Sequence, residues 1–241
     1  MTLKFEVEDW NVLKNIFTNI YEIIDEVIIE CNDNGLNFTG IDRSHICFFE
    51  GAVSKEVFDE YEIDDLLLLY IDLTELIKVL KRGNNKDTLI FEADENEITI
   101  KFKNKNVRTF SITQIDGVMD SKKPPNLSYS ISFECDFDTI KSSLKDVDLY
   151  SDRLTFDCED DLLVLNGEGG FGKYKNEYHL DNPVDTHCVS TYSVDWLLRI
   201  FNTKLSSNNL KISMGQDFPM LIEFSIDNIK MNYLVAPRLA D

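Results

Sequence analysis

The sequence repeats itself, and a repeat limits the folds open to a chain more than any single motif does. Trp10-Asn11-Val12-Leu13 returns as Phe137-Asp138-Thr139-Ile140 at an offset of 127 residues. The same offset carries Cys31 onto Cys158 and Gly40 onto Gly167. A second pair of segments aligns at an offset of 121. There Leu73, Leu76, Ile77 and Leu80 fall on Val194, Leu197, Leu198 and Phe201, and Phe91 falls on Ile212.

Each segment reads by period. Leu3, Phe5 and Val7 alternate with polar residues, the pattern of a half-buried strand. Asp9 stands as an N-cap before an apolar stripe at Trp10, Leu13, Phe17 and Ile20. Val27–Cys31, the turn Asn32-Asp33-Asn34-Gly35, Leu36–Thr39 and Ile46–Phe49 read as strands joined by turns. The next segment opens with a strand at 66–71. Asp72 or Thr74 caps a helix carrying Leu73, Leu76, Ile77 and Leu80, and strands at 88–93, 97–102 and 107–113 follow. The third segment repeats the scheme with Tyr129, Ile131 and Phe133, then a stripe at Phe137, Ile140, Leu144 and Val147. The fourth has Cys188–Thr191, a stripe at Val194, Leu197, Leu198 and Phe201, and strands at 210–214, 220–225 and 229–235. The chain is expected to be α+β: four copies of strand–helix–strands, two to a domain, each domain with two helices packed on antiparallel sheets. The domains are expected at 1–115 and 127–241. Residues 116–126, with Gly117, Ser121, Pro124 and Pro125, form the connector.

Composition removes several classes. With 44 acids against 24 bases the net charge is -20, which argues against a basic protein that grips nucleic acid with its whole surface. At 43% hydrophobic and 11% aromatic residues, the chain is too apolar for an acidic disordered one. Met1–Glu6 reads as a strand and not as a secretory signal. No apolar run approaches the roughly 20 residues of a membrane span. The five cysteines, Cys31, Cys47, Cys135, Cys158 and Cys188, are odd in number and lack a Cys-x-x-Cys pair. Neither a zinc ribbon nor a disulfide framework follows; buried reduced thiols in a cytosolic or nuclear compartment do.

Three patterns imitate sites. Gly167-Glu168-Gly169-Gly170-Phe171-Gly172 satisfies G-x-G-x-x-G, but a dinucleotide site needs a helix immediately after it. Lys173–His179 alternates like a strand, so a Gly-rich turn is expected. Asp157–Asp161 and Glu60–Asp65 are acidic but lack EF-hand spacing, and solvated loops are expected there. His45, His179 and His187 have no ligand spacing, and no nucleophile motif occurs. No metal, cofactor or catalytic residue is expected, although an enzyme with scattered carboxylates is the alternative from another class.

Several segments, taken in order, carry a resemblance. They are Gly40-Ile41-Asp42-Arg43-Ser44-His45-Ile46, Asp72–Lys81, Asn166-Gly167-Glu168 with its following glycines, Asp217-Phe218-Pro219-Met220, and Tyr233-Leu234-Val235-Ala236-Pro237. With the repeat, the chain resembles over its full length the DNA sliding clamps of the proliferating cell nuclear antigen family, archaeal type. The resemblance implies a homotrimeric ring whose helices line the hole, with no catalytic site. It implies a processivity factor for DNA replication and repair that encircles duplex DNA without sequence preference. It also implies short-peptide partners: DNA polymerase, clamp loader, flap endonuclease and DNA ligase. The location would be cytoplasmic and nucleoid-associated in an archaeon, nuclear in a eukaryote. A subunit of a heterotrimeric or checkpoint-type clamp is the alternative.

Under that resemblance the helices should turn bases inward. They carry Lys14, then Lys78, Lys81 and Arg82, then Lys141 and Lys145, then Arg199 and Lys204. Their acids crowd into first turns, a polarity that the helix dipole also favours. Carried across one position at a time, the partner-peptide pocket matches Ile41, His45, Ile46, Phe48, Pro219, Leu234, Val235, Ala236 and Pro237, with Ile115 and Val118 from the connector side. Leu234 stands where the family often has an aromatic. The subunit joints match edge strands 107–113 and 173–180, with Val107, Phe110, Ile112, Tyr174 and Tyr178, and Leu144 and Val147 nearby.

Overall fold

A computed structural model describes residues 1–115, 125–203 and 209–239. The repeat shows as element order. The first copy runs β1 (Leu3–Val7), α1 (Asn11–Tyr21), β2 (Glu26–Asn32), β3 (Gly35–Ile41), β4 (Cys47–Ser54) and β5 (Glu60–Ile63). The second runs β6 (Leu67–Asp72), α2 (Leu73–Leu80), β7 (Thr88–Ala93), β8 (Glu97–Lys103) and β9 (Val107–Thr113). The third runs β10 (Ile131–Cys135), α3 (Phe137–Val147), β11 (Arg153–Glu159), β12 (Leu162–Gly169) and β13 (Gly172–His179). The fourth runs β14 (Cys188–Ser193), α4 (Val194–Phe201), β15 (Asn209–Met214), β16 (Met220–Ile226) and β17 (Ile229–Val235). The fold is α+β, and every copy is strand, helix, three strands; the first adds β5.

The chain forms two compact units. One takes Met1–Gly40, the described residues from Glu50 to 115, and Asp227–Lys230. The other takes Ile41–Phe49, the described residues from 125 to Ile226, and Met231 to 239.

In the first unit an antiparallel sheet has the order β5-β1-β7-β8-β9. Phe5 faces inward from β1 and stacks on Phe91 at 4.8 Å, with Phe58 at 4.5 Å. The α1 stripe is buried as its period requires: Trp10, Leu13, Phe17 and Ile20 are all 5% exposed or less. The Trp10 indole N–H donates to the Asp87 carbonyl at 3.1 Å, so the polar end of the largest buried ring is satisfied. β2 pairs antiparallel with both β3 and β6. Gly35 closes the β2–β3 turn at φ +129°, and a Cβ there would lie 2.1 Å from the Val53 carbonyl oxygen. Only glycine fits that position.

In the second unit one sheet has the order β13-β12-β11-β14, and a separate ladder joins β10, β15 and β16. Phe137 of α3 packs against Phe201 of α4 at 5.0 Å and against Phe224 of β16 at 6.0 Å. The same helix pairing, α1 with α2 and α3 with α4, recurs in both units. All five cysteines are buried and unpaired.

Three local expectations need correction. Asp157–Asp161 is a loop only at its end: Asp157–Glu159 finish β11, paired with β12, and Cys158 is fully buried. Glu60–Ile63 is no solvated loop: it is β5, antiparallel to β1 with Tyr61 opposite Phe5. Its acids face water while Tyr61 and Ile63 turn inward, so the alternation outweighs the charge. Asp9 is no N-cap either. Trp10 already has helical dihedrals and stands at the cap without a side-chain bond, which leaves Asp9 exposed and one position too early. Caps do form elsewhere. Asp72 accepts from the Thr74 N–H at 2.7 Å, and Asp136 accepts from the Thr139 N–H and hydroxyl at 2.7 Å each. The G-x-G-x-x-G run is a hairpin, with Gly169 paired to Gly172 and strand β13 following.

Asp136→Ala is expected to lower stability by about 1 kcal/mol through loss of a cap. Asp9→Ala should stay within about 0.5 kcal/mol of wild type. Urea denaturation of the two variants checks both, and a larger loss at Asp9 would contradict the assignment.

Candidate functional site

The helices keep their free faces polar because their apolar stripes are spent on the sheets. Three of the four carry an acid in the first turn and a base in the last: Glu75 and Lys78 on α2, Asp138 and Lys145 on α3, Asp195 and Arg199 on α4. α1 breaks the pattern, having neither. Its Lys14 lies near the helix start, with Nζ 5.3 Å from the Trp10 ring. Lys81 is the C-cap residue of α2, and Arg82 lies beyond the helix because the last apolar position is Leu80. Lys204 falls outside the described residues.

These bases differ in environment. Lys78 Nζ sits 2.6 Å from Glu75, and that hydrogen bond raises its pKa. Arg199 pairs with Asp195 at 3.1 Å and lies over Trp196 at 4.9 Å. Lys141 is half-buried and donates to the Thr203 carbonyl at 2.9 Å. Burial, then repulsion from Lys145, lowers its pKa. Lys145 is exposed.

A second cluster forms around a buried carboxylate. Asp42 is 3% exposed. One of its oxygens accepts from the N–H groups of Ile46 and Cys47 at 2.6 Å each, and the other accepts from Ser44 at 2.6 Å. The Asp42 carbonyl takes the His45 N–H at 3.0 Å, and His45 adopts φ +58°. The loop 42–47 is thus wound on one side chain. The Cys47 thiol, buried beside that charge, is pushed up. The C-terminal tail joins the loop: Ala236 N–H donates to the Ile46 carbonyl at 2.8 Å. Farther on, Arg238 N–H donates to the Thr191 carbonyl at 2.7 Å, and its guanidinium reaches Asp152 at 2.6 Å.

The structure sorts the expected pocket residues. His45 is exposed, while Ile41, Ile46, Pro219, Leu234, Ala236 and Pro237 are half-buried, all in one unit. Phe48 is 7% exposed and Val235 is fully buried. Val235 shares the inward face of β17 with Tyr233 and Met231, so its side chain supports the surface from beneath. Ile115 belongs to the other unit, where its N–H donates to Tyr70 at 3.1 Å. Val118 falls outside the described residues.

The expected joint residues sort the same way. β9 and β13 are both sheet edges. Val107 is 58% exposed; Phe110, Tyr174 and Tyr178 are half-buried, and Ile112 is 8% exposed. Leu144 and Val147 are fully buried in the α3 stripe and offer no surface to a neighbour. The fit there is tight: a Cβ on Gly167 would lie 2.3 Å from Val147 Cγ2.

Known proteins share this arrangement. The profile of the proliferating cell nuclear antigen N-terminal domain matches residues 2–121. The DNA polymerase sliding clamp of Methanothermobacter thermautotrophicus is 34% identical over 98% of both chains. The chain belongs to this family. The sliding clamp of Methanobrevibacter smithii is 32% identical, again over 98% of both chains. The fold superposes with a TM-score of 0.90 on A. fulgidus PCNA, solved as "C-terminal region of FEN-1 bound to A. fulgidus PCNA", at 20% identity over 99% of both chains. No helix among the described residues of this clamp is long and apolar enough to cross a membrane.

Two residues of the clamp have parts that single positions in the sequence do not announce. Asp42 is the loop centre, and an aspartate two residues before a serine is the signal of an Asx turn. Arg238 had no local signal, since Asp152 is 86 positions away.

Asp42→Ala leaves three backbone N–H groups without their acceptor, each costing about 1–3 kcal/mol where buried. Amide exchange at Ser44, Ile46 and Cys47 is expected to accelerate at least tenfold, while the amides of β11 and β12 keep their protection. Unchanged exchange at those three positions would remove Asp42 from its place at the loop centre.

Proposed function

We propose that the chain works by topology, as a DNA sliding clamp: three copies close a ring around duplex DNA and hold polymerases and other DNA enzymes to it. The observation that carries this reading is the full-length match to archaeal sliding clamps together with four repeated helices that carry bases on their polar faces. A ring that encloses DNA needs neither base contacts nor a catalytic group. Weak phosphate contacts suffice, and these are independent of sequence and sensitive to salt. The clamp is therefore no enzyme, and it acts in the cytoplasm at the nucleoid. Folding domains at 1–115 and 127–241, joined by 116–126, complete the reading.

Lys14, Lys78, Lys81, Arg82, Lys141, Lys145, Arg199 and Lys204 are assigned to the DNA side. The surface around Ile41, His45, Ile46, Pro219, Leu234, Ala236 and Pro237, backed by Phe48 and Val235 and extended by Ile115 and Val118, is assigned to short partner peptides with one aliphatic and two aromatic side chains. The A. fulgidus relative, solved with the C-terminal region of FEN-1 bound, supports a terminal segment of a DNA enzyme as the kind of partner. Polymerase, clamp loader and ligase would share the surface. Val107, Phe110, Ile112, Tyr174 and Tyr178 are assigned to the joints, supported from beneath by Leu144 and Val147.

The clamp loaded on nicked circular DNA is expected to stay bound until the circle is cut, and then to slide off the ends. Retention on linear DNA with free ends would refute topological binding. Lys81→Glu with Lys145→Glu should keep the mass of a trimer and weaken stimulation of a polymerase, more at low salt than at high, because salt screens the contacts that wild type makes; stimulation equal to wild type across a salt series would acquit those two residues. Ile46→Glu should weaken binding of an aliphatic-aromatic-aromatic peptide at least tenfold, about 1.4 kcal/mol, without changing the mass. Calorimetry reads the affinity, and undiminished binding would move the peptide site elsewhere.

A further inference from the structure

Six of the chain's 24 bases fall in two short stretches that the fold brings together. The loop after α2, residues 81–87, holds Lys81, Arg82 and Lys86; the turn from β8 into β9, residues 103–108, holds Lys103, Lys105 and Arg108. Asp87 is the one acid in either stretch, out of 44 in the chain. Lys81, Arg82, Lys86, Lys103 and Lys105 are exposed. Among the described residues, the one ion pair made by these six bases is that of Arg108 with Asp87, at 2.6 Å.

Asp87 also ties the two stretches to each other. It is 5% exposed. Its carboxylate accepts from the Asn84 N–H at 2.9 Å, from Asn104 Nδ2 at 3.3 Å and from Arg108 Nη2 at 2.6 Å. Across the same seam Asn104 Nδ2 donates to the Lys86 carbonyl and Arg108 Nη1 to the Arg82 carbonyl, both at 2.8 Å. Two core rings lie beneath: a Cβ on Gly83 would come within 2.4 Å of Phe102 and 2.5 Å of Trp10. The backbone is therefore fixed from below and from the side, while five bases stand in water without an opposite charge. In a chain of net charge -20, like charges gathered on a rigid frame repel one another, and a polyanion relieves that repulsion.

The surroundings say which polyanion. The surface is continuous with bases assigned to DNA: Lys81 is the C-cap of α2 and Lys78 lies in its last turn, and Lys14 of α1 sits over the same Trp10 ring that seats Gly83. Asn84, Asn85, Asn104 and Asn106 are exposed between the bases, and side-chain amides donate to phosphate oxygens as lysine and arginine do. Neither stretch holds an aromatic residue on which an unpaired base could stack. We propose that the loop after α2 and the β8–β9 turn form a phosphate-binding surface outside the helices, which takes the backbone of duplex DNA through Lys86, Lys103 and Lys105. The inference rests on the clamp reading above and extends it, since the helices are then only part of the DNA side. Because the backbone is already fixed, binding orders little beyond the lysine side chains. Each phosphate neutralised adds about 0.9 to the slope of log affinity against log salt.

The test counts those contacts. One variant carries Lys86→Gln, Lys103→Gln and Lys105→Gln. A control carries Lys55→Gln, Lys211→Gln and Lys230→Gln, exposed lysines elsewhere that change the net charge equally. Affinity for a fluorescent linear duplex is read by anisotropy over a salt series, and mass by light scattering. The first variant should keep the wild-type mass, bind at least tenfold more weakly at low salt, and lose at least about 0.9 from the salt slope. The control should stay within about twofold of wild type. Wild-type affinity and slope in the first variant, or an equal loss in the control, would overturn the surface. A fall in the mass of the first variant would overturn it as well, by placing these lysines in a joint. Lys81→Glu with Lys145→Glu, measured alongside, separates the two readings. Weaker binding there but not in the first variant removes this surface and leaves the helices on DNA; wild type that is not retained on nicked circular DNA removes the clamp reading itself.

Discussion

A helix that buries one stripe on a sheet has only its opposite face left to offer. That constraint governs this chain four times over. Leu73, Leu76, Ile77 and Leu80 go inward on α2, and Lys78 is what remains outside. Phe137, Ile140, Leu144 and Val147 go inward on α3, and Lys141 and Lys145 remain near its surface. The apolar stripe fixes which face of each helix turns to the core, and that orientation decides which charges meet solvent. Placement of the bases follows from the core rather than being added to it.

The same reasoning explains how much was legible beforehand. Strands with clean alternation, such as Leu3-Phe5-Val7, and helices with strong stripes were readable because burial has a period. β5 was hidden since its polar positions are all acidic, and acid runs read as solvated loops. The α1 start was misread by one residue, as termini often are: Asp9 has the right chemistry, but Trp10 already follows helical dihedrals. Burial itself was legible only as a face. Leu144 and Val147 were expected near a joint, yet the stripe that made them visible is what seals them inside.

The candidate site was legible in proportion to its locality. Ile41, His45 and Ile46 lie within six positions and share a loop, so a motif carries them. Asp42 organises that loop through contacts of two to five positions, which a single-residue reading overlooks. Arg238 and Asp152 meet only because β14 and the tail run side by side, and no local pattern encodes that. The basic surface beside α2 was likewise invisible as one surface, because Arg82 and Arg108 are 26 positions apart and meet only after folding. The net charge of -20 conceals it.

β9 and β13 are different strands, one from each unit of the chain, so a joint made from them is head to tail. A closed assembly of such joints has no two-fold axis lying in its plane, and its two faces must differ. Every Asp42 loop then opens toward the same side. An object threaded on DNA in this way carries a direction, because its two faces look opposite ways along the duplex.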